Sequence, residues 1–599
     1  MSREKDEELM DFLTKTKKLP LKSMLKRLVS YLKPVWKKFA LAILVLILNV
    51  FFDIITPLIM SKFTGFITSN NIYEANALRV IIIFAISELV ITCLNQSFLY
   101  IESILLQKIG QEIVYNLRIE VFSHIESLSQ NQFNDMPVGS LVSRVGNYTA
   151  RLSELFTGTL VSLMRNILTV VGVYTIMIVI SPTLSLVLLP FVFIVFGVSF
   201  FFTRYVHKLF RKEHDSYTAM DTFLNENLGG MKIIQIFNQQ NRKHKEFNDK
   251  NSDIKNVGMK IIKAFAFYRP FISLLYILCV AATFYFGIQP WIALSTESIV
   301  AFYLYISRFF NPIQNIADQI NNFQRAFTSC EKLFALLDYK AEVLDTKNAK
   351  DVSHFDGKIE FKHVWFAYKP EHWILKDVSF VIDKKTTAAF VGATGAGKTT
   401  ILSLITRNYE IQKGQILIDD VDIKDIKINS LRKNIGQMLQ DVFLFSGSIK
   451  SNITLHDDSF TNDEVMEACT YVNADKFINE LDKGLEEKVT ERGENFSSGQ
   501  RQLLSFARTV IHKPQILILD EATANIDTET EVLIQDSLEK MKSIGTMLVV
   551  AHRLSTIQKA NQIFVLNKGV IVEHGTHQEL LKQKGQYYKL YKLQFEKDE

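Results

Sequence analysis

"TTAAFVGATGAGKTTILSLI", residues 386–405, runs from a short apolar segment through a glycine-rich loop into a second apolar segment with helical spacing. Gly392–Thr399 within it satisfies G-x-x-x-x-G-K-[ST] at every required position. The pattern sits between a strand-like and a helix-like stretch, and that context gives it meaning. Gly392, Gly395 and Gly397, with Ala393, Thr394 and Ala396 between them, are expected to turn backbone N–H groups onto phosphates. Lys398 is expected to reach the β/γ-phosphates and the Thr399 hydroxyl to ligate Mg²⁺, with Thr400 closing the run. The reading decides the fold of this half of the chain. Residues 358–590 alternate short apolar runs with helical patterns, the order of a P-loop α/β domain.

Two further strands belong to the same sheet. "QILILDEAT", residues 515–523, is an apolar run ending in Asp520 and Glu521. A buried strand of this kind carries carboxylates to the sheet edge beside the phosphate loop. Asp520 is expected to hold Mg²⁺, directly or through water, and Glu521 to polarise an attacking water. "TMLVVAHRL", residues 546–554, is another buried strand, and it delivers His552 to the same edge for a γ-phosphate contact. A second anion-holding feature precedes the helix of "ENFSSGQRQLLSFARTV", residues 494–510. One domain has no evident need for two.

The chain has 599 residues, more than one ordinary domain holds. Apolar residues make up 48% of it, and the long apolar runs all precede residue 325. The net charge of +5 is small for this length and does not point to nucleic acid. Cys93, Cys279, Cys330 and Cys469 form no CxxC pair, so neither a metal site nor a disulfide framework is expected. "MSREKDEELM" is charged and lacks the apolar core of a cleaved signal peptide.

A membrane helix needs about 20 mostly apolar residues. Six stretches qualify, at roughly 38–60, 78–101, 159–180, 184–203, 265–288 and 298–320. The sixth turns polar after Arg308. The expected outer loops 61–77, 181–183 and 289–297 carry only Lys62, whereas the first 40 residues and 204–263 are rich in Lys and Arg. Both termini are therefore expected in the cytoplasm. The long connections 102–158 and 204–264 keep helical spacing, so the membrane helices are expected to extend into the cytoplasm and to turn near 131–141 and 218–230. Ahead of the first span, Leu21, Met24, Leu25, Leu28, Val29 and Leu32 oppose Lys22, Lys26, Arg27 and Lys33, the pattern of a helix lying in the membrane interface.

Polar groups inside a span are costly, roughly 2.5–3.5 kcal/mol for a centred acid. Asp53 and Glu88 fall at similar depth in the first two spans and are expected to face water or the bundle interior. Asn311, Asn315, Asp318 and Asn322 follow one another at intervals of 4, 3 and 4, on one helical face. That stripe suits a helix lining a wet path. Interhelical hydrogen bonding suits each residue singly just as well.

Together these motifs resemble the ATP-binding cassette (ABC) transporters. The phosphate loop, "LQDVFLFSGSIKSNI", "FSSGQRQ", "ILILDEATANID" and "VVAHRLS" occur in that family's order, from about residue 20 to 595, behind six spans. "NDMPVGSLVSRV" is similar to a first coupling-helix region, and "VTERGENFSSGQ" to the exporter loop before the signature. The fold so implied is an all-α six-helix transmembrane domain with long cytoplasmic extensions, followed by an α/β nucleotide-binding domain with a helical subdomain. Its expected parts are 1–35 as cytoplasmic N-terminus and elbow helix, 36–328 as transmembrane domain, 329–357 as linker and 358–595 as cassette.

The resemblance also implies roles. Tyr368 stacks on adenine, Gln440 senses Mg²⁺ and connects to the coupling helices, His552 is a switch histidine, and Asp527 lies in a loop crossing a dimer interface. Ser497, Ser498, Gly499 and Gln500 form the signature, which caps ATP held by a partner's phosphate loop; one cassette per chain then implies a dimer of half-transporters. The usual signature reads LSGGQ, and Ser498 replaces a glycine that lets backbone approach the γ-phosphate closely. An altered signature beside an intact Glu521 resembles one subunit of heterodimeric bacterial multidrug exporters. ATP and Mg²⁺ are the implied cofactors. The implied surroundings are a bacterial inner membrane, with lipid, a second subunit and a small amphipathic substrate as partners. A lipid or lipopeptide flippase and a peptide exporter share this architecture; about 35 residues before the first span leave no room for an N-terminal peptidase. A channel gated by a cassette is expected to have lost a catalytic carboxylate or histidine, and both are present.

Overall fold

The computed structural model describes residues 21–68, 77–369, 371–520, 528–550 and 557–595. The chain divides into two compact units, Met1–Glu126 with Pro137–Tyr339, and Ser127–Met136 with Lys340–Glu599.

The first unit is helical. Its principal helices are α1 (Leu21–Leu32), α2 (Trp36–Thr68), α3 (Ala77–Glu126), α4 (Leu160–Ile180), α5 (Pro182–Gly229), α6 (Gln240–Gly287) and α7 (Thr296–Leu337). Among the described residues, five helices are long and apolar enough to cross a membrane: Lys26–Thr68, Ala77–Glu126, Val138–Ile180, Pro182–Gly229 and Gln240–Gly287. The sixth expected span falls within α7, a helix 42 residues long that is not among these five. It falls short of the others in apolarity because Arg308, Asn311, Gln314 and Asn315 interrupt its apolar run. One extended residue, Ser181, separates α4 from α5; its hydroxyl accepts the Leu184 N–H at 3.3 Å, and Pro182 opens the new helix.

Several boundaries differ from expectation. α5 runs unbroken through 218–228 and ends at Gly229–Gly230, so the second reversal occupies 230–239, not 218–230. Nothing between 218 and 228 breaks a helix, and the glycine pair does. The first reversal spans 127–137 around the short helix Gln130–Asn134, a few residues before the expected 131–141. α7 continues to Leu337, so residues expected in the linker from 329 onward are helical. Arg27, expected on the polar side of α1, pairs with Asp338 at 2.7 Å and lies over the Phe334 ring, on which Tyr31 also stacks. Met24 and Leu28 are buried and Val29 is exposed.

Polar side chains join the membrane helices. Arg308 of α7 pairs with Asp53 of α2. Arg165 of α4 bonds Glu102 of α3 at 2.6 Å and also reaches Asn49 of α2, which bonds Asn95 of α3. Asn49 and Asp53 are four residues apart on α2, while Glu88, Asn95 and Glu102 repeat every seven on α3, so each helix offers one polar line to the bundle.

Among the described residues the second unit holds two main sheets and a two-stranded ribbon of β7 (Gly447–Ser448) and β8 (Lys488–Val489). The larger runs β12-β11-β3-β10-β9-β6 and contains β3 (Thr387–Gly392), β6 (Ile435–Met438), β9 (Ile516–Asp520), β10 (Thr546–Val550), β11 (Gln562–Asn567) and β12 (Val570–Gly575). All neighbours are parallel except the β11–β12 edge pair. Apart from the terminal Asp520 and Thr546, β9 and β10 are apolar, and they are buried on both faces, as parallel strands require. Successive residues of β3 serve opposite cores. Ala389 and Val391 pack with Leu503, Leu504 and Phe506 of a helical subdomain, whereas Ala388 and Phe390 pack with Phe361, Phe380 and Phe564. The second core lies under an antiparallel sheet of β1 (Ile359–Ala367), β2 (Trp373–Ile382), β4 (Lys413–Ile418) and β5 (Val421–Asp422). Phe390 is fully buried there, and truncating a phenylalanine of this kind to alanine costs about 3–5 kcal/mol.

Candidate nucleotide site

β3 ends at Gly392, and the loop returns to helix α8 (Lys398–Ile405). Gly395 and Gly397 have φ of 80° and 105°, in the left-handed region that glycine adopts without strain. A Cβ on Gly397 would also stand 2.7 Å from a Leu375 methyl. The loop therefore wraps tightly, with the open N–H groups of the first turn of α8 above it. The Lys398 side chain is 7% exposed and folds back over the loop, donating to the Gly392 carbonyl at 2.8 Å and the Ala393 carbonyl at 3.1 Å. Burial pulls its ammonium below the ordinary lysine range, and the Asp520 carboxylate opposes that pull. Asp520, at the end of β9, is thus brought to Lys398; it pairs in register with Val550 of β10. Thr399 is exposed at the start of α8, and Gln440 is exposed just beyond β6. Glu521, Asp527 and His552 lie outside the described residues.

Tyr368 follows β1. Its hydroxyl and that of Thr400 are 3.1 Å apart, so the aromatic ring is tied to the phosphate helix. Its ring meets Phe366 edge-on at 4.8 Å and Tyr409 edge-on at 5.0 Å. It remains 39% exposed, enough for a flat ring to lie against it.

Ser497 caps helix α9 (Ser498–Val510) in a reciprocal pair with Gln500: the Ser497 hydroxyl accepts the Gln500 N–H at 3.2 Å, and the Gln500 side chain accepts the Ser497 N–H at 2.9 Å. Gly499 is buried, and Ser498 takes the first helical position with no positive φ. Serine there costs no backbone strain. Phe496 is buried against Phe477, and Arg501 donates to its carbonyl at 2.7 Å. The signature is therefore built on the helical subdomain, and the phosphate loop on the sheet.

Sequence reading passed over Tyr409, and it placed a turn at 131–141 without assigning residues 127–136 to the cassette unit. That segment belongs to the second unit although the chain places it between membrane helices. Gln132 donates to the Lys340 carbonyl at 2.8 Å and accepts the Glu342 N–H at 3.1 Å. Asn134 and Asp135 lie near the Tyr409 hydroxyl; burial above all raises that phenol's pKa. A lone tyrosine in "RNYEI" carries no period or motif, so no sequence signal marked it.

Of the expected path residues, Asn311, Asn315 and Asn322 are exposed on α7, and the Asp318 side chain lies outside the described ones. Asp53 is engaged by Arg308, while Glu88 keeps one buried carboxylate oxygen without a hydrogen bond.

Two family descriptions match the chain: "ABC transporter transmembrane region" over residues 39–313 and "ABC transporter" over 375–524. The putative ABC transporter ATP-binding protein exp8 of Streptococcus pneumoniae is 40% identical over 576 residues, covering 96% of this chain and 97% of that protein. The probable multidrug resistance ABC transporter ATP-binding/permease protein YheH of Bacillus subtilis is 37% identical, covering 83% and 74%. A solved bacterial Atm1-family ABC exporter with ATP bound superimposes with a TM-score of 0.81 at 25% identity, covering 94% of this chain and 98% of that one.

A helical membrane unit joined to a P-loop cassette defines an ATP-driven membrane transporter. This chain belongs to the ABC transporter family, on the exporter side. It is an integral membrane protein that binds ATP, couples ATP hydrolysis to transport and works as a dimer.

Proposed function

We propose that the chain is one half of a heterodimeric exporter that moves hydrophobic or amphipathic, drug-like compounds out of the cytoplasm or the inner leaflet. The observation that carries the ATPase reading is the convergence of Lys398, Asp520 and the Tyr368–Thr400 pair around one phosphate loop. In this reading Lys398 and the N–H groups of Gly392–Thr400 bind the phosphates, and Tyr368 carries the adenine. Thr399, Asp520 and Gln440 supply the hard oxygen donors that suit Mg²⁺, which neutralises phosphate charge when bound. Glu521 accepts the proton of the attacking water, His552 contacts the γ-phosphate and Asp527 faces the partner cassette. Ser497–Gln500 serve the partner's ATP. Asp53, Glu88, Asn311, Asn315 and Asp318 contribute to the substrate path. The cassette and both termini lie in the cytoplasm of a bacterial inner membrane.

The similarity to YheH, a probable multidrug resistance ABC transporter protein, supports the substrate class. Ser498 supports the heterodimer: its backbone is helical and unstrained, so what it changes is room at the γ-phosphate it faces. Glu521→Gln tests the catalytic assignment; ATP binding is expected to persist while turnover falls by two orders of magnitude or more, a general base contributing about 10²–10⁴-fold. Wild-type turnover in that variant removes Glu521 from the role. Native mass spectrometry of the tagged chain isolated from its host tests the assembly, and a fully active self-dimer defeats the heterodimer.

A further inference from the structure

Between α5 and α7 lies a cavity of about 820 Å³, within the range of about 300–1,000 Å³ typical of small-molecule sites. Its α5 wall is one helical face: Phe196, Phe200, Arg204 and Lys208 follow at intervals of four, with His207 beside them, and Ile316 of α7 faces them. The wall changes character along its length. The phenylalanines fall inside the expected span 184–203, and the basic groups begin at the residue after it, Arg204. No carboxylate forms a salt bridge with Arg204 or Lys208 among the described residues, and the Arg204 guanidinium rests over the Phe200 ring at 4.8 Å. α5 also packs against α6 beside the cavity, and Ser199 both lines the cavity and reaches α6. Phe202 stacks on Tyr268 of α6 at 3.8 Å, and the Ser199 and Tyr268 hydroxyls are 2.9 Å apart.

We infer that this cavity binds a drug-sized amphiphilic anion, its apolar body against Phe196, Phe200 and Ile316 and its anionic group between Arg204 and Lys208. The inference rests on the exporter reading and deepens it by naming the charge of one substrate class. An apolar wall alone selects no charge. Two cations that form no salt bridge among the described residues, at one end of the wall, do, because a carboxylate or sulfonate there gains charge-assisted hydrogen bonds that a cationic amphiphile of equal length forfeits. Guanidinium offers the fork that matches such a group, and the lysine adds a point charge.

The test is equilibrium binding of 11-(dansylamino)undecanoic acid to the full-length transporter in its native assembly, beside a dansyl undecyl-trimethylammonium probe. The wild type is expected to prefer the carboxylate by about tenfold or more. Arg204→Glu with Lys208→Glu is expected to invert that preference, and Phe200→Ala to weaken both probes alike. Arg204→Gln with Lys208→Gln, which removes charge without adding acid, is expected to abolish the preference and serves where the reversal does not fold. Equal binding of the two probes by the wild type overturns the proposal. So does a preference that survives the glutamine pair, which leaves the cations as anchors at the membrane interface. ATP turnover of the same preparations reports separately on the exporter reading: an active ATPase without charge preference sinks only the cavity assignment.

Discussion

The Tyr409 ring meets the Tyr368 ring edge to face, with 5.0 Å between centroids and 83° between planes. Tyr368 is in turn held to Thr400 of the phosphate helix, and Tyr409 lies near Asn134 of the 127–136 segment. A chain of four side chains thus links the segment between two membrane helices to the nucleotide site. An aromatic pair of this geometry contributes about 0.5–1.5 kcal/mol. Tyr409→Ala is expected to weaken ATP binding about 2- to 10-fold in a fluorescent-nucleotide titration. Tyr409→Phe keeps the ring contact and is expected to leave that affinity unchanged; equal losses in both variants would place the effect in the hydroxyl.

Restoring the common glycine offers a second check. On the proposed role of the signature at the partner's ATP, Ser498→Gly is expected to widen the space at the γ-phosphate and so to raise ATP turnover of the assembled transporter. The helix itself barely responds, because glycine and serine differ by only a few tenths of a kcal/mol in propensity. Unchanged turnover would mean that the hydroxyl is accommodated without cost.

The Arg165–Glu102 pair permits a stability experiment. The Glu102 side chain is 2% exposed. Arg165→Leu leaves that carboxylate buried and uncompensated, a loss of about 3–5 kcal/mol for a buried pair. Thermal unfolding in detergent is expected to fall accordingly, and Glu102→Leu added to Arg165→Leu is expected to recover most of it. Failure of the double variant to recover would make the pair's packing, rather than its charge, the stabilising element.

His577 gives a pH dependence with a definite sign. Its Nδ1 lies 2.7 Å from the Tyr587 hydroxyl, and burial holds its pKa below the ordinary histidine value of 6.5. A base with a depressed folded pKa is neutral in the native state and takes a proton more readily when unfolded. Its contribution is therefore fully present above about pH 6.5 and is lost as pH falls through the lower folded value. His577→Gln is expected to flatten the acid side of the stability curve in that window while leaving stability at pH 8 nearly unchanged, as read from denaturant midpoints.

Cys469 supplies a probe of the helical subdomain. It is fully buried, and desolvation pushes its thiol up to about 12. Maleimide is expected to spare it in the native protein at pH 7 and to label it on unfolding, because the thiolate is the reactive form. Rapid native labelling would show that this subdomain opens.

The phosphate loop, the strand ending at Asp520 and the capped signature helix were legible in the residues alone, for a local reason. Each rests on residues within about ten positions: the glycines, lysine and threonine of the phosphate pattern, an unbroken apolar run ending in two acids, and a glycine with two serines directly ahead of an amphipathic helix. The long apolar helices were equally legible, since length and hydropathy are properties of a segment. The second reversal was misplaced by about ten residues because helix ends depend on the few side chains that cap them. Only the tertiary structure decided the rest. It brought Tyr409 to Tyr368, joined residues 127–136 to the cassette unit, paired Asp53 with Arg308 and set the α5 cations beside an apolar cavity. Those relationships join residues tens to hundreds of positions apart, and no period or local propensity encodes a distance of that kind. Burial and charge pairing select them once the helices and strands have packed.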